Sequence, residues 1–343
     1  MEQYRAPRWL AGRGALGGNL QTIWPALFSR RFHGPPPVYE RERWTTPDGD
    51  FIDVDWQTGD RTGHTERPLL VVFHGLEGSS RSHYAEAFAN WARRQGWRFA
   101  VPHFRGCSGE LNLAPRAYHS GDHEEIGWML GQLRARHRGP IVAVGASLGG
   151  NALLRWAEEA GETAHEVVKA VCAVSAPLDL AAGGHAISRG FNRQVYTRMF
   201  LNTMLPKAMQ KAAQFPKLLD VKQLQRVRDL HGFDNAFTAP LHGFRNTEDY
   251  WERGSAKPHL HRIRVPALVI NARNDPFVPG ACLPRANEVG AFVTLWQPDM
   301  GGHVGFAQGR WPAHVLTLPE QVMGWMKAHV PHADAAPAKM HAA

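Results

Sequence analysis

Mostly apolar, strand-like runs bounded by turn residues recur at 69–73, 99–104, 141–146, 170–175, 267–272 and 292–297. Runs of that length, apolar on both faces, predict strands of a parallel sheet covered on both sides. The segment 51–56 instead alternates polar and apolar positions, as a strand with one wet face does. Between the runs, Tyr84, Phe88, Trp91 and Ala92 recur at helical spacing within 81–95, and Leu153, Trp156, Ala157 and Ala160 within 152–160. Such alternation implies an α/β fold with a mostly parallel, doubly wound central sheet flanked by helices. It breaks once, between the strand ending near Ser175 and the strand starting near Ala267, where the pattern is mainly helical. The expected organisation is an N-terminal extension over 1–40, a first core part over 41–177, a helical cap over 178–250, a second core part over 251–330, and a disordered tail over 331–343 rich in Ala, Pro and His.

Composition changes this picture little. No stretch approaches the roughly 18 unbroken apolar residues of a membrane span, and the N-terminus lacks the apolar centre of a secretory signal. A cytoplasmic protein is expected. The net charge of +8 raises nucleic acid or an anionic membrane surface as partners. The basic residues are spread along the chain with no nucleic-acid motif, so nucleic acid is not expected, while weak contact with anionic headgroups stays open. Cys107, Cys172 and Cys282 lack C-x-x-C spacing, which points to reduced thiols rather than a disulfide frame or a zinc site.

The run at 141–146 leads into Gly145-Ala146-Ser147-Leu148-Gly149, which matches G-x-S-x-G, a sharp strand-to-helix turn that lifts a serine hydroxyl clear of the backbone. A plain βα turn would read the same way, so partners decide. A serine needs a base to take its proton and an acid to orient that base. In this architecture the chain order is Ser, acid, His. Asp275 follows one apolar run, and His303 follows the next in a glycine-rich loop. Asp299 and Asp179 are rival acids. His74-Gly75-Leu76-Glu77-Gly78 follows the run at 69–73, where a backbone N–H for a developing oxyanion belongs. Leu76 is the expected donor, with Glu77 as the alternative, and Leu148 supplies the second N–H.

These segments, together with GNLQTIWPAL at 18–27, HFRGCSGELN at 103–112, YHSGDHEEI at 118–126 and FTAPLHGF at 237–244, resemble the YheT-like family of the α/β-hydrolase superfamily. That family includes bacterial proteins classed as esterases and eukaryotic lipases of phospholipids and acylglycerols. The resemblance runs over nearly the whole chain. It implies Ser147 as nucleophile, Asp275 as acid, His303 as base and ester cleavage without a cofactor. No counterpart of the membrane anchor of the eukaryotic relatives is expected here. An acyltransferase with the same triad, or a ligand-binding protein without turnover, remains compatible with the same residues.

Two other features carry weaker chemistry. His119 and His123, with Asp122 and Glu124, have helical spacing that could seat a metal, yet a capped helix start explains them equally well, and no metal is expected. Arg105 to Gly109 could bind an anion through its N–H groups, although a structural turn is the simpler reading. In the cap, Val195, Met199 and Phe200 are expected to line an acyl pocket, unless they simply pack on the core.

Overall fold

The computed structural model describes residues 4–12, 14–59 and 65–330. Eight strands form one sheet: β1 (Tyr39–Thr45), β2 (Phe51–Gln57), β3 (Leu69–Phe73), β4 (Arg98–Pro102), β5 (Ile141–Ala146), β6 (Ala170–Val174), β7 (Ala267–Ile270) and β8 (Val293–Trp296). Their spatial order is β1-β2-β4-β3-β5-β6-β7-β8. β1 and β2 are antiparallel to their neighbours, and β4 through β8 are all parallel with β3.

β3 through β7 are buried on both faces, as apolar runs require, whereas β8, expected to be covered as well, is the sheet's other edge and stays partly exposed along its length. Along β3, Leu69, Val71 and Phe73 join a cluster with Met129, Leu130 and Leu153, while Leu70 and Val72 join another with Phe88, Trp91 and Met323. The covering helices are α2 (His83–Gln95) and Thr317–Lys327 on the second face, and α3 (His123–Arg136) and α4 (Leu148–Ala160) on the first. An earlier helix, α1 (Gly14–Leu27), precedes the sheet.

Two sheet features depart from the sequence reading. β1, Tyr-Glu-Arg-Glu-Arg-Trp-Thr, is an edge strand that the hydrophobic pattern does not reveal. β2 was expected to have one wet face but is buried along its whole length. One cause explains both. Arg41 lies opposite Asp55 and Arg43 opposite Asp53, with Nε to carboxylate distances of 2.7 and 2.8 Å. Each buried carboxylate on β2 therefore finds a guanidinium on β1, which keeps its charged head at the surface.

The stretch between β6 and β7 contains helices and turns but no strand. Helix Leu180–Ile187 is followed by a π-helical turn at Arg193–Thr197 that runs into helix Arg198–Gln214; a second π-helical turn covers Asp234–Thr238, before helix Thr247–Gly254. Helix Arg198–Gln214 and the turn Asp234–Thr238 share an apolar cluster built on Leu201, Ala208, Leu224, Phe233 and Phe237, separate from both sheet faces, whereas Ile187 and Tyr196 pack with Phe277 and Val278, and Tyr250 and Trp251 with Leu180. The 331–343 tail lies outside the described residues. Among those residues, no helix is long and apolar enough to cross a membrane.

Candidate active site

Ser147 sits between the end of β5 and the start of α4 with φ of 51°, a left-handed conformation that costs a residue with a β-carbon. The flanking glycines make the turn possible. A β-carbon on Gly145 would stand 2.4 Å from the Gly149 oxygen, and one on Gly149 would stand 2.5 Å from the His74 oxygen. The glycine requirement at Gly149 therefore comes from the β3 turn, which lies directly against the start of α4.

His303 places Nε2 2.9 Å from Ser147 Oγ and Nδ1 2.9 Å from Asp275 Oδ2. An ionised carboxylate only accepts hydrogen bonds, so the ring proton lies on Nδ1 and Nε2 is free to take the serine proton. Asp275 has no exposed side-chain surface, and its other oxygen accepts from the Phe277 and Val278 N–H groups at 2.8 and 3.2 Å. The rival acids lie elsewhere. Asp299 is 76% exposed and 3.8 Å from the Arg273 guanidinium. Asp179 caps helix Leu180–Ile187 by accepting the Ala182 N–H at 2.9 Å.

Leu76 and Leu148 line the same cavity as Ser147 and His303. Glu77 N–H is already engaged, donating to the Tyr118 hydroxyl at 3.0 Å, and that hydroxyl donates back to Glu77 Oε1 at 2.8 Å. Lys207 Nζ, from helix Arg198–Gln214, meets Glu77 Oε2 at 2.8 Å. The turn is fixed from beneath by His74. Its Nε2 accepts the Phe104 N–H at 3.1 Å, so Nδ1 carries the proton donated to the Gly75 oxygen at 2.8 Å. Burial pushes this imidazole down to about 3, with His103 nearby adding to the shift, so the ring is neutral near pH 7.

Several residues of the site carry no recognisable chemical pattern in the sequence. Thr22 Oγ1 accepts the His303 N–H at 2.9 Å and donates to the Gly18 oxygen at 2.8 Å. Gln21, fully buried, accepts through Oε1 from the Gly301 N–H at 2.8 Å and the Asn274 amide at 3.0 Å. Asn274 Oδ1 accepts from Gly302 N–H at 3.0 Å. α1 thus ties the acid loop to the histidine loop. The available signal is the stretch Gly18-Asn19-Leu20-Gln21-Thr22, conspicuous only as part of the family resemblance.

Two adjoining chambers lie at this site, the first lined by Ser147 and His303 and the second sharing part of its wall. Leu180, Ile187, Phe200, Leu230 and Phe277 give the first an apolar wall; Glu77, Arg105, Tyr118, Lys207 and Lys211 belong to the second. Leu76, Leu148, Met204, Asp234 and Tyr250 border both. Of the three expected pocket residues, Phe200 is on the first wall, Val195 packs with Ile187, Tyr196 and Phe277, and Met199 is 52% exposed. The π-helical turn before Arg198 explains the change of face. It uses one residue more than an α-helical turn, which rotates the following positions by about 100° from a 3.6-residue projection.

His119 and His123 do not converge on a common point. Asp122 caps α3 and pairs with Arg116, and the His119 ring packs 4.4 Å from that of His242. Among the described residues, no group of three or more metal-ligating side chains has a metal-binding arrangement. Arg105 is occupied by Asp48, Asp50 and Glu125.

Comparison with known proteins agrees with this architecture. The family model described as the alpha/beta hydrolase fold matches residues 68–309. YheT of Escherichia coli, named as an esterase, is 38% identical over 93% of this chain and 92% of its own. Mouse phospholipase ABHD3 is 27% identical over 87% of this chain and 74% of its own. The solved structure of mouse alpha/beta hydrolase domain-containing protein 10 superposes with a TM-score of 0.53 at 13% identity, over 84% of this chain and 99% of that one, a likeness of fold alone. Elbow, sheet order and relatives together place the chain in the α/β-hydrolase family, in its YheT-like branch.

Proposed function

We propose that this protein is a serine hydrolase of carboxylic esters, acting through Ser147, His303 and Asp275. The observation that carries the reading is the unbroken chain of 2.9 Å contacts from Ser147 Oγ through His303 to Asp275, at the wall of a largely apolar cavity. In this reading Ser147 Oγ attacks the ester carbonyl as its proton passes to His303 Nε2, and Asp275 stabilises the resulting imidazolium. The carbonyl oxygen gains negative charge where the Leu76 and Leu148 N–H groups can meet it. His303 then protonates the departing alcohol, and a water activated by the same nitrogen releases the acid from Ser147.

The apolar chamber with Ile187, Phe200 and Phe277 suits the acyl chain, so the substrates are acyl-chain or lipid-like esters. A relative named as a phospholipase supports this choice. Residues 178–250 serve as the cap over the acyl chain. The test is a fluorophosphonate probe followed by peptide mass spectrometry, with wild type and Ser147→Ala assayed in parallel on short p-nitrophenyl esters. Adduct on Ser147 and a loss of on the order of 10³-fold in the variant are expected. Labelling at another serine would overturn the assignment.

A further inference from the structure

Asp234 is a carboxyl group with no part in the proton relay, yet it borders both chambers, the first of which is lined by Ser147. It opens the π-helical turn Asp234–Thr238, an arrangement often found at functional sites. The Thr238 hydroxyl donates to Oδ1 at 2.7 Å, and the Trp251 indole N–H donates to Oδ2 at 2.9 Å. A carboxylate can accept about four hydrogen bonds. Each oxygen of Asp234 thus keeps acceptor capacity, and no Lys or Arg among the described residues is ion-paired with it. Burial pushes its carboxyl up to about 6, against the bonds from Thr238 and Trp251, which lower it.

An acceptor left partly unused in a largely apolar wall is expensive unless the ligand completes it. The proposed reading puts the acyl chain in the first chamber, and an alcohol half directed to the border between the two chambers meets Asp234. Lys207 and Lys211 belong to that second chamber, and the Lys211 ammonium, buried on helix Arg198–Gln214, donates to the Asn112 and Ala114 carbonyls at 2.6 and 2.9 Å. These cations disfavour an ammonium on the substrate but not a neutral hydroxyl. We propose that Asp234 is a specificity-determining residue that accepts a hydrogen bond from a hydroxyl on the alcohol half of the ester. The inference rests on the proposed ester hydrolysis at Ser147 and adds the class of alcohol, one bearing a free hydroxyl near the ester oxygen.

The experiment compares isosteric esters that differ by one methyl-to-hydroxyl exchange: 2-hydroxyethyl butyrate against propyl butyrate, and 3-hydroxypropyl butyrate against butyl butyrate. Butyrate release gives kcat/KM for wild type, Asp234→Leu and Asp234→Asn. In the wild type, the hydroxylated member of at least one pair should be preferred by about ten- to a hundredfold, the range of a hydrogen bond to a charged group. That ratio should collapse toward one in Asp234→Leu and fall partway in Asp234→Asn, whatever happens to the absolute rates. A ratio unchanged in both variants, or wild-type cleavage of all four esters without preference, overturns the role of Asp234 and leaves ester hydrolysis standing. No cleavage of any ester, together with no phosphonate adduct on Ser147, overturns both.

Discussion

The backbone N–H of His303 is held by the side chain of Thr22, 281 positions earlier in the chain, at 2.9 Å. This contact comes from α1 and fixes the main chain of the proposed base rather than its ring. Thr22→Val keeps the shape and removes the acceptor. We expect kcat/KM on p-nitrophenyl butyrate to fall by about tenfold, as the ring loses its fixed position. Steady-state kinetics with a thermal melt separates the effects, since a purely structural contact would lower the melting temperature and leave kcat/KM unchanged.

The acid is tested by two amide substitutions. Asp275→Asn keeps the size of the group but cannot hold the imidazolium, and a loss of roughly 10³- to 10⁴-fold in kcat is expected. Asp299→Asn should stay within about twofold of wild type, because a side chain 76% exposed has little to lose. Reversal of these outcomes would move the acid role to Asp299.

Tyr118 controls the residue beside the proposed oxyanion donor Leu76. Its hydroxyl both receives the Glu77 N–H and donates to the Glu77 carboxylate. Tyr118→Phe removes both bonds while retaining the ring stacked on Phe104. The expected result is a drop of about ten- to a hundredfold in kcat with little change in KM, the signature of an interaction made in the transition state. A rise in KM alone would assign Tyr118 to substrate binding instead.

Acyl-chain selectivity separates Phe200 from Met199. Phe200→Trp adds bulk to the first chamber and should shift the preferred p-nitrophenyl ester to a shorter chain, at about 0.8 kcal/mol for each methylene that no longer fits. Met199→Trp should leave the length profile unchanged, because Met199 is 52% exposed. A shift in the Met199 variant and none in the Phe200 variant would reverse the placement of the two side chains.

Buried His74 gives a stability prediction with a definite sign. Its folded value lies near 3, below the ordinary 6.5, so the unfolded chain takes up a proton that the folded ring refuses. The stabilisation is complete above pH 6.5 and is lost as pH falls toward 3, at about 1.4 kcal/mol per pH unit. His74→Gln removes that dependence. The stability gap between wild type and variant in urea unfolding should therefore narrow by about 2 kcal/mol between pH 7.5 and 5. A constant gap would mean that the ring is not buried neutral.

The fold was legible where burial is symmetric. β3, β5, β6 and β7 are short apolar runs because both faces are covered, and Ser147, Asp275 and His303 were singled out as a proposed triad because each closely follows such a run. β1 was hidden because its stability comes from Arg41 and Arg43 answering Asp55 and Asp53, and a charge ladder leaves no hydrophobic period. Met199 was drawn onto the wrong face by one π-helical turn, which periodicity assumes away. Gln21 and Thr22 were invisible for another reason. Beside local carbonyls, their partners in the acid and histidine loops are backbone N–H groups and an amide more than 250 positions away, and no local pattern records such a contact.

The same distant contact orders events during synthesis. Gln21 leaves the ribosome early, but Asn274 and Gly301, which it holds together, leave more than 250 residues later. At about 5–20 residues per second, that interval is on the order of tens of seconds. In the later part of it, a nascent chain already carries Ser147 and the Thr22 side chain, while His303 has yet to be made. The proposed base therefore joins the proposed nucleophile only when synthesis is nearly finished, and a fragment ending between residues 147 and 303 holds Ser147 without His303.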